Sequence, residues 1–430
     1  MNDGIRSWLE ATAGGTLASV VRSAQGASRE QYFVEVETPR AEPRLMVLRC
    51  EAGSSFSDTD FCPAKEAAIY RALETTPVPV PRVVGLAPEG AALLMERVPG
   101  TSDLAVLDEA ERDATMLSFI DALAVLHTLD VDALPLEQLC KPRCPEDHAR
   151  LDLETWASLT EQYVASLDPL LGYAAAWLRA HSPSEVARTV LVQGDTGPGN
   201  FVFQQGEVTG IVDWELAHVG DPMDDLAWLD YRNRIGLDRA RLHQRYSSRS
   251  GIEIDEDSIS FYAVAVRYRC AVTTSLAVSR GGGALGLPPY LPARQRFLVD
   301  VGRELARCAD IREPPVELPR ADANERTAWF DWLEGAIRAG AKGIADAELR
   351  AATRNSRIVL HYLRAHDQLG PELAALDRAD CRASLGSELG GRELLAVASD
   401  AGATGDDQVL RYLLRRTQRS GALWAGLHDR

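Results

Sequence analysis

The sequence predicts an α+β chain in three parts: a strand-rich part first, a mainly helical stretch next, and an all-α domain at the end. Three observations carry this reading. Strand-like runs crowd into the chain before residue 98. Helical patterning takes over from about residue 105. The Pro-rich segment Arg312-Glu313-Pro314-Pro315-Val316-Glu317-Leu318-Pro319 reads as a linker to a further helical region. The expected parts are 1–98, 99–311 and 321–430.

Taken in order, Thr16 to Val21 is rich in β-branched residues, Gln31 to Val36 alternates apolar and polar side chains, and Arg44 to Cys50 is a mostly apolar run. These read as three strands. Between the first two lies Ala24-Gln25-Gly26-Ala27-Ser28-Arg29, with a single glycine, which by itself is a hairpin turn. Residues 63–74 read as a helix opened by Pro63, with Ala67, Ile69, Tyr70 and Leu73 on a broad apolar face. Pro77-Val78-Pro79-Val80-Pro81 forces an extended segment, and Ala91 to Met95 is a further strand that leads into Glu96-Arg97-Val98-Pro99-Gly100. Helices are expected over 108–129, 150–180, 223–245, 256–280 and 291–310. His127 falls on the buried face of the first and reads as a structural hydrogen-bonding residue. Beyond the linker, Trp329, Trp332, Leu333 and Ile337 share one helical face. Such a face is expected to be buried, so 321–430 should pack as a helical unit against other helices or a second copy of the chain. Gly386 to Gly391 and Gly402 to Gly405 read as breaks between helices.

Composition narrows the class. The 430 residues are 46% hydrophobic and 25% charged, as in a soluble globular protein of two or three domains. A formal net charge of −17 argues against a nucleic-acid partner, because no basic stripe could neutralise phosphates. The seven cysteines are scattered without zinc spacing, which fits reduced thiols in a cytoplasmic protein. The start, MNDGIRSWLEATAGG, is not a signal peptide. The most apolar window, Phe261 to Val278, is interrupted by Arg267 and Arg269, so no membrane partner is expected.

The chemistry concentrates in residues 191–225. Asp195-Thr196-Gly197-Pro198-Gly199-Asn200 is a tight loop. Phe201 to Phe203 and Val208 to Val212 read as the strands of a hairpin turning over Gln204 to Glu207. Asn200 enters that hairpin and Asp213 leaves it, so the two side chains should lie together. An amide oxygen beside a carboxylate suits Mg²⁺ held jointly with substrate phosphates, which leaves Asp195 for the hydroxyl that attacks phosphorus.

The spacing resembles the D-x-x-x-x-N loop and strand-borne metal aspartate of the protein-kinase-like fold. The wording Gln193-Gly194-Asp195, Val212-Asp213-Trp214-Glu215 and Gly220-Asp221-Pro222 with Asp225-Leu226-Ala227 is most similar to the aminoglycoside phosphotransferase and choline kinase-like enzymes. Gln193 stands where that family usually has His, at a position that supports the loop; an altered hydrogen bond is expected there. The resemblance covers roughly the first 310 residues and implies a two-lobe fold, a small antiparallel-sheet N-lobe over a helical C-lobe.

It also implies roles. Asp195 is the base, Asn200 and Asp213 hold Mg²⁺, and the 24–29 loop, with Ser28, covers the phosphates of ATP or GTP. Arg49 stands where the family usually carries Lys on the third strand, and the two are not interchangeable. Glu66 is either its ion-pair partner or a solvated acid. The backbone at Glu96 to Val98 would face the adenine edge. Asp225 is expected to accept backbone N–H bonds of the catalytic loop, Asp224 to lie on the surface, and Trp214 and Glu215 to shape the metal site or pack beneath it. The expected activity is that of an ATP- or GTP-dependent kinase acting on a hydroxyl of a small molecule. The alternative is a nucleotide-binding pseudokinase scaffold whose C-terminal domain binds a partner.

Overall fold

The computed structural model describes residues 2–23, 29–38, 41–51, 59, 61–164, 166–234, 236–282 and 286–425. Ser28 and most of the expected phosphate-covering loop lie outside these residues. The chain divides into two compact units: residues 1–152 with 183–266, and residues 153–182 with 267–430. The Pro-rich linker falls within the second.

In the first unit the β-branched runs do form strands. β1 (Thr16–Arg22), β2 (Glu30–Thr38), β3 (Ala41–Cys50), β4 (Val83–Leu86) and β5 (Ala92–Glu96) build one antiparallel sheet in the order β1-β2-β3-β5-β4. The alternation along β2 sends Tyr32, Val34 and Val36 into a core with Met46, Leu48 and Leu94. One helix was not expected there. α1 (Asp3–Ala13) is capped by Asn2, whose Oδ1 accepts from the Ile5 N–H at 2.9 Å, and it buries Leu9 and Ala13 in that core. Its short apolar stripe in a polar segment gave little periodic signal. α2 (Pro63–Leu73) follows β3 and buries Ala67, Ile69, Tyr70 and Leu73 together with Glu66.

After β5 the chain becomes helical. α3 (Glu109–Thr128) is set by an Asp108/Glu111 capping box. Its Phe119 ring stacks at 4.3 Å on Phe201. That residue opens the hairpin β7 (Phe201–Gln204) and β8 (Glu207–Ile211), which follows β6 (Val190–Val192). β6 pairs with β9 (His218–Gly220), and α6 (Pro222–Arg232) and α7 (Arg239–Ser250) follow in the same unit. The helix expected over 223–245 is thus two helices, because Asp238 caps a new one.

The stretch 150–180 is likewise two helices, α4 (Asp147–Tyr163) and α5 (Pro169–Ala180), the second capped by Asp168. α8 (Glu256–Ser279) and α9 (Leu287–Cys308) follow, then α10 (Thr327–Gly343), α11 (Ala347–Leu385), α12 (Gly391–Thr404) and α13 (Asp407–Ala422). In the second unit α5 and α12 pack at very short range. A Cβ on Gly402 would lie 2.2 Å from the Tyr173 carbonyl oxygen, so Gly402 is a packing residue inside a helix and not the break expected; Gly405 makes the break.

Trp329, Trp332 and Leu333 are not covered by the described helices of this chain. They are 67%, 74% and 41% exposed. The side of α10 away from the tryptophans carries Phe330, Glu334, Ile337 and Ala341, and ion pairs Arg357–Glu334 at 2.7 Å and Arg364–Asp331 at 2.8 Å tie the helix to α11. Arg326–Asp367, at 2.8 Å, ties the residue before α10 to the same helix. The tryptophans lie on the opposite, outer side. Among the described residues no helix is long and apolar enough to cross a membrane.

Candidate active site

The first unit contains a cleft of about 610 Å³ whose walls include Arg49, Tyr70, Met95, Val98, Asn200, Asp213 and Arg232. Of the sequence-predicted residues, Arg49, Glu96, Val98, Asn200 and Asp213 line it, while Asp195 and Glu66 do not line it but touch Asn200 and Arg49. The hairpin β7–β8 explains the pairing of Asn200 with Asp213: Phe201 lies opposite Ile211, and the Val212 N–H donates to the Asn200 carbonyl at 2.9 Å. Asn200 Nδ2 donates to the Asp195 carboxylate at 2.6 Å and to its carbonyl at 2.8 Å. The Asn200 Oδ1 and one Asp213 carboxylate oxygen have no hydrogen-bond partner among the described residues, and both residues line the cleft. An amide oxygen and a carboxylate oxygen of this kind fit a hard cation. No cluster of three or more His, Cys, Asp or Glu that could hold a metal occurs among the described residues, so phosphate oxygens would have to complete such a site.

Asp213 has a backbone conformation that non-glycine residues seldom adopt, φ 65°. It is held from both sides. Its N–H donates to the Tyr70 hydroxyl at 3.2 Å, and its carbonyl accepts from Gln193 Nε2 at 2.7 Å. Gln193 also donates to the Val212 carbonyl at 3.1 Å, while its Oε1 accepts the Asp195 N–H at 2.9 Å and the Thr196 hydroxyl at 3.2 Å. One amide therefore ties the Asp195 loop to the Asp213 strand. A side-chain amide carries both a donor and an acceptor at its tip, which this bridge requires.

Beneath the loop sits Asp225, fully buried on α6. It accepts the Gln193 N–H at 2.8 Å, the Gly194 N–H at 2.9 Å and the Thr196 hydroxyl. His127 Nε2 donates to it at 3.0 Å, and His127 Nδ1 lies 2.7 Å from the Tyr246 hydroxyl. The expected loop support by Asp225 and the structural position of His127 are both found. Asp224 differs from expectation: it is buried, with His218 Nε2 at 3.2 Å, because the first turn of α6 faces inward.

Arg49 is 6% exposed and reaches Glu66 at 2.7 Å and Asp213 at 2.8 Å. Glu66 is thus a buried ion-pair partner and not a solvated acid. Arg29 joins the network, 3.2 Å from Glu66 and 3.3 Å from Glu215. Burial opposes charge on Arg49, yet Asp213, Glu66 and Glu215 hold its pKa well above the usual value. Burial would raise the Asp213 pKa, but Arg49 overrides it and keeps the carboxyl below its ordinary value. Glu215 is pushed up to about 7 by burial and by Asp213.

At the sheet edge of the cleft, the Glu96 side chain pairs with Arg82 at 2.6 Å and Arg44 at 3.4 Å, and its N–H is bonded to the Arg82 carbonyl. The Arg97 N–H is bonded to the Leu45 carbonyl, whereas the Val98 N–H has no partner among the described residues.

Three contributors were not read from the sequence: Arg29, Tyr70 as a hydrogen-bond acceptor, and Arg232. Arg232 pairs with the Asp195 carboxylate from the last turn of α6. Only the apolar spacing of Tyr70 was visible, and a single Arg after an apolar helical run carries no signal.

A family model described as the phosphotransferase enzyme family matches residues 19–262, more than half of the chain. The mouse acyl-CoA dehydrogenase family member 10 is 30% identical over 217 residues, 47% of this chain and 19% of that protein. A probable acyl-CoA dehydrogenase of Arabidopsis thaliana, IBR3, is 29% identical over 247 residues, 52% of this chain and 29% of that protein. The human acyl-CoA dehydrogenase family member 11 is 29% identical over 213 residues, 46% and 26% of the two chains. This chain thus spans less than a third of the length of these relatives. Among solved structures, a candidate aminoglycoside phosphotransferase from Ralstonia eutropha superposes with a TM-score of 0.53 at 24% identity, over 70% of this chain and 95% of that chain. At that identity the likeness shows the fold, a kinase-like one with an antiparallel sheet followed by helices. On the length of the family match, this chain belongs to the phosphotransferase enzyme family.

Proposed function

We propose that the chain transfers the terminal phosphoryl group of a nucleoside triphosphate, ATP or GTP, to a hydroxyl of a small molecule. The observation that carries this reading is the convergence of Asn200, Asp213 and Arg49 on one cleft, with Asp195 bonded to two of its lining residues, Asn200 and Arg232. In this reading residues 1–98 bind nucleotide, 99–311 carry the catalytic groups, and 321–430 stand outside the nucleotide site. The base would lie along Met95 and Val98, with the Val98 N–H for its edge. Arg49, oriented by Glu66, would bind phosphate oxygens. Asn200 and Asp213 would hold Mg²⁺, which when bound neutralises phosphate charge. Asp195, fixed by Asn200, would orient the acceptor hydroxyl and take its proton late in transfer.

For the acceptor we favour a hydroxylated acyl-CoA thioester over an aminoglycoside. The curated relatives carry acyl-CoA dehydrogenase names, whereas the aminoglycoside-enzyme likeness supports only the fold. The seven cysteines are all free, which supports a reducing, cytoplasmic setting.

The test is nucleotide consumption with Mg²⁺ across a panel of hydroxylated acyl-CoA thioesters and other alcohols, for wild type and Asp195→Ala. Acceptor-dependent diphosphate release by the wild type alone is expected. No release with any acceptor, while nucleotide still binds, would favour the scaffold reading.

A further inference from the structure

The loop Asp195-Thr196-Gly197-Pro198-Gly199-Asn200 contains no cationic side chain. A cation nevertheless sits against its aspartate. Arg232, the last residue of α6, pairs through Nη1 with the Asp195 carboxylate and donates to the Asp195 carbonyl at 3.3 Å. Its Nη2 donates to the Pro198 carbonyl at 2.7 Å. The loop is shaped around this side chain. A Cβ on Gly197 (φ 137°) would lie 3.0 Å from Arg232 Cβ, and one on Gly199 (φ 97°) would lie 3.2 Å from Arg232 Nη2. Arg232 also lines the cleft, together with Arg49, Asn200 and Asp213.

Resting on the phosphotransferase reading above, we propose that Arg232 is a catalytic residue that binds the phosphoryl group in transit. The acceptor hydroxyl must be within hydrogen-bond reach of Asp195 and in line with the γ-phosphorus, about 3–3.5 Å away. A guanidinium already touching Asp195 is therefore within reach of the γ-phosphoryl oxygens. In the step, the hydroxyl oxygen bonds to phosphorus as the bond from phosphorus to the β,γ-bridging oxygen breaks. The bridging oxygen leaves with the electron pair on the diphosphate, and the hydroxyl proton passes to Asp195. Arg232 keeps its protons throughout; its planar fork matches the charge spread over the equatorial oxygens. Arg49 is shared among Glu66, Asp213 and Glu215, whereas Arg232 pairs with Asp195.

The experiment compares binding of Mg²⁺ complexes of a non-hydrolysable triphosphate and of the diphosphate to wild type, Arg232→Lys and Arg232→Met. For Arg232→Met a loss of about 10- to 100-fold in triphosphate affinity is expected, with diphosphate affinity within about 2-fold of wild type. Arg232→Lys should fall between, and it carries the test if the Met variant does not fold. Equal losses for both nucleotides, or no loss for either, would overturn the assignment while leaving the phosphotransferase reading standing. A wild type that binds neither nucleotide would overturn that reading and this one with it.

Discussion

Two arginines meet Asp213 and Asp195, and they do so differently. Arg49 comes from a central strand of the sheet, is almost fully buried, and shares its charge with Glu66, Asp213 and Glu215. Arg232 comes from a helix end, has a side chain 25% exposed, and holds Asp195 with help from two backbone carbonyls. The first is part of the unit's interior, so removing it leaves buried acids without a counter-charge. The second is a bracket on a loop, and its removal leaves groups that water can reach. Structural and chemical contributions are mixed at Arg49 and more nearly separated at Arg232.

The largest effects should come from the carboxylates themselves. Asp213→Ala should abolish Mg²⁺-dependent turnover. Asp195→Asn should lower it by about 10²–10⁴-fold with nucleotide affinity retained, in steady-state kinetics and equilibrium binding. Unchanged turnover in either variant would remove that residue from the chemistry. Next, stability should divide the two arginines. Arg49→Met should cost about 3–5 kcal/mol in denaturant unfolding, as when one partner of a buried pair is removed. Arg232→Met should cost about 1 kcal/mol or less, as for a partly exposed pair. Equal costs would erase the distinction.

The smallest effect concerns the mounting of α6, the helix that carries Arg232. Its N-cap Asp221 is 2% exposed, and burial pushes its pKa up to about 7. The folded state then keeps a proton that the unfolded chain releases near pH 4. This group's contribution to stability therefore falls as pH rises from about 4 to about 7 and is flat above that. Asp221→Asn keeps a capping side chain and removes the charge. It should flatten that slope and be more stable than wild type at pH 8, by thermal unfolding across pH. A variant with the wild-type slope would show that Asp221 is ionised throughout.

Much of the candidate site was legible because its residues lie close in the chain. Asp195, Asn200 and Asp213 are joined by one loop and one hairpin, and hairpin pairing is a local property that alternation and turn residues reveal. Strand and helix types were likewise readable wherever periodicity was strong, as in β2 and α3. Helix ends were less so. The breaks at Asp168 and Asp238 lie inside continuous helical patterns, and a capping Asp looks like any surface Asp in a linear reading.

The sequence by itself determined the antiparallel sheet, the Asp195–Asn200–Asp213 constellation and the family to which they point, since each rests on neighbours within a few dozen residues. Only the tertiary structure decided what holds those groups in place, Glu66 as the partner of Arg49, Tyr70 and Gln193 clamping Asp213, and Arg232 on Asp195, and it decided that Trp329 and Trp332 face outward. The physical reason is that hydrogen bonds and ion pairs between distant segments depend on where the segments dock. A charged or hydroxyl side chain has the same local signature whether it ends in water or against a buried carboxylate.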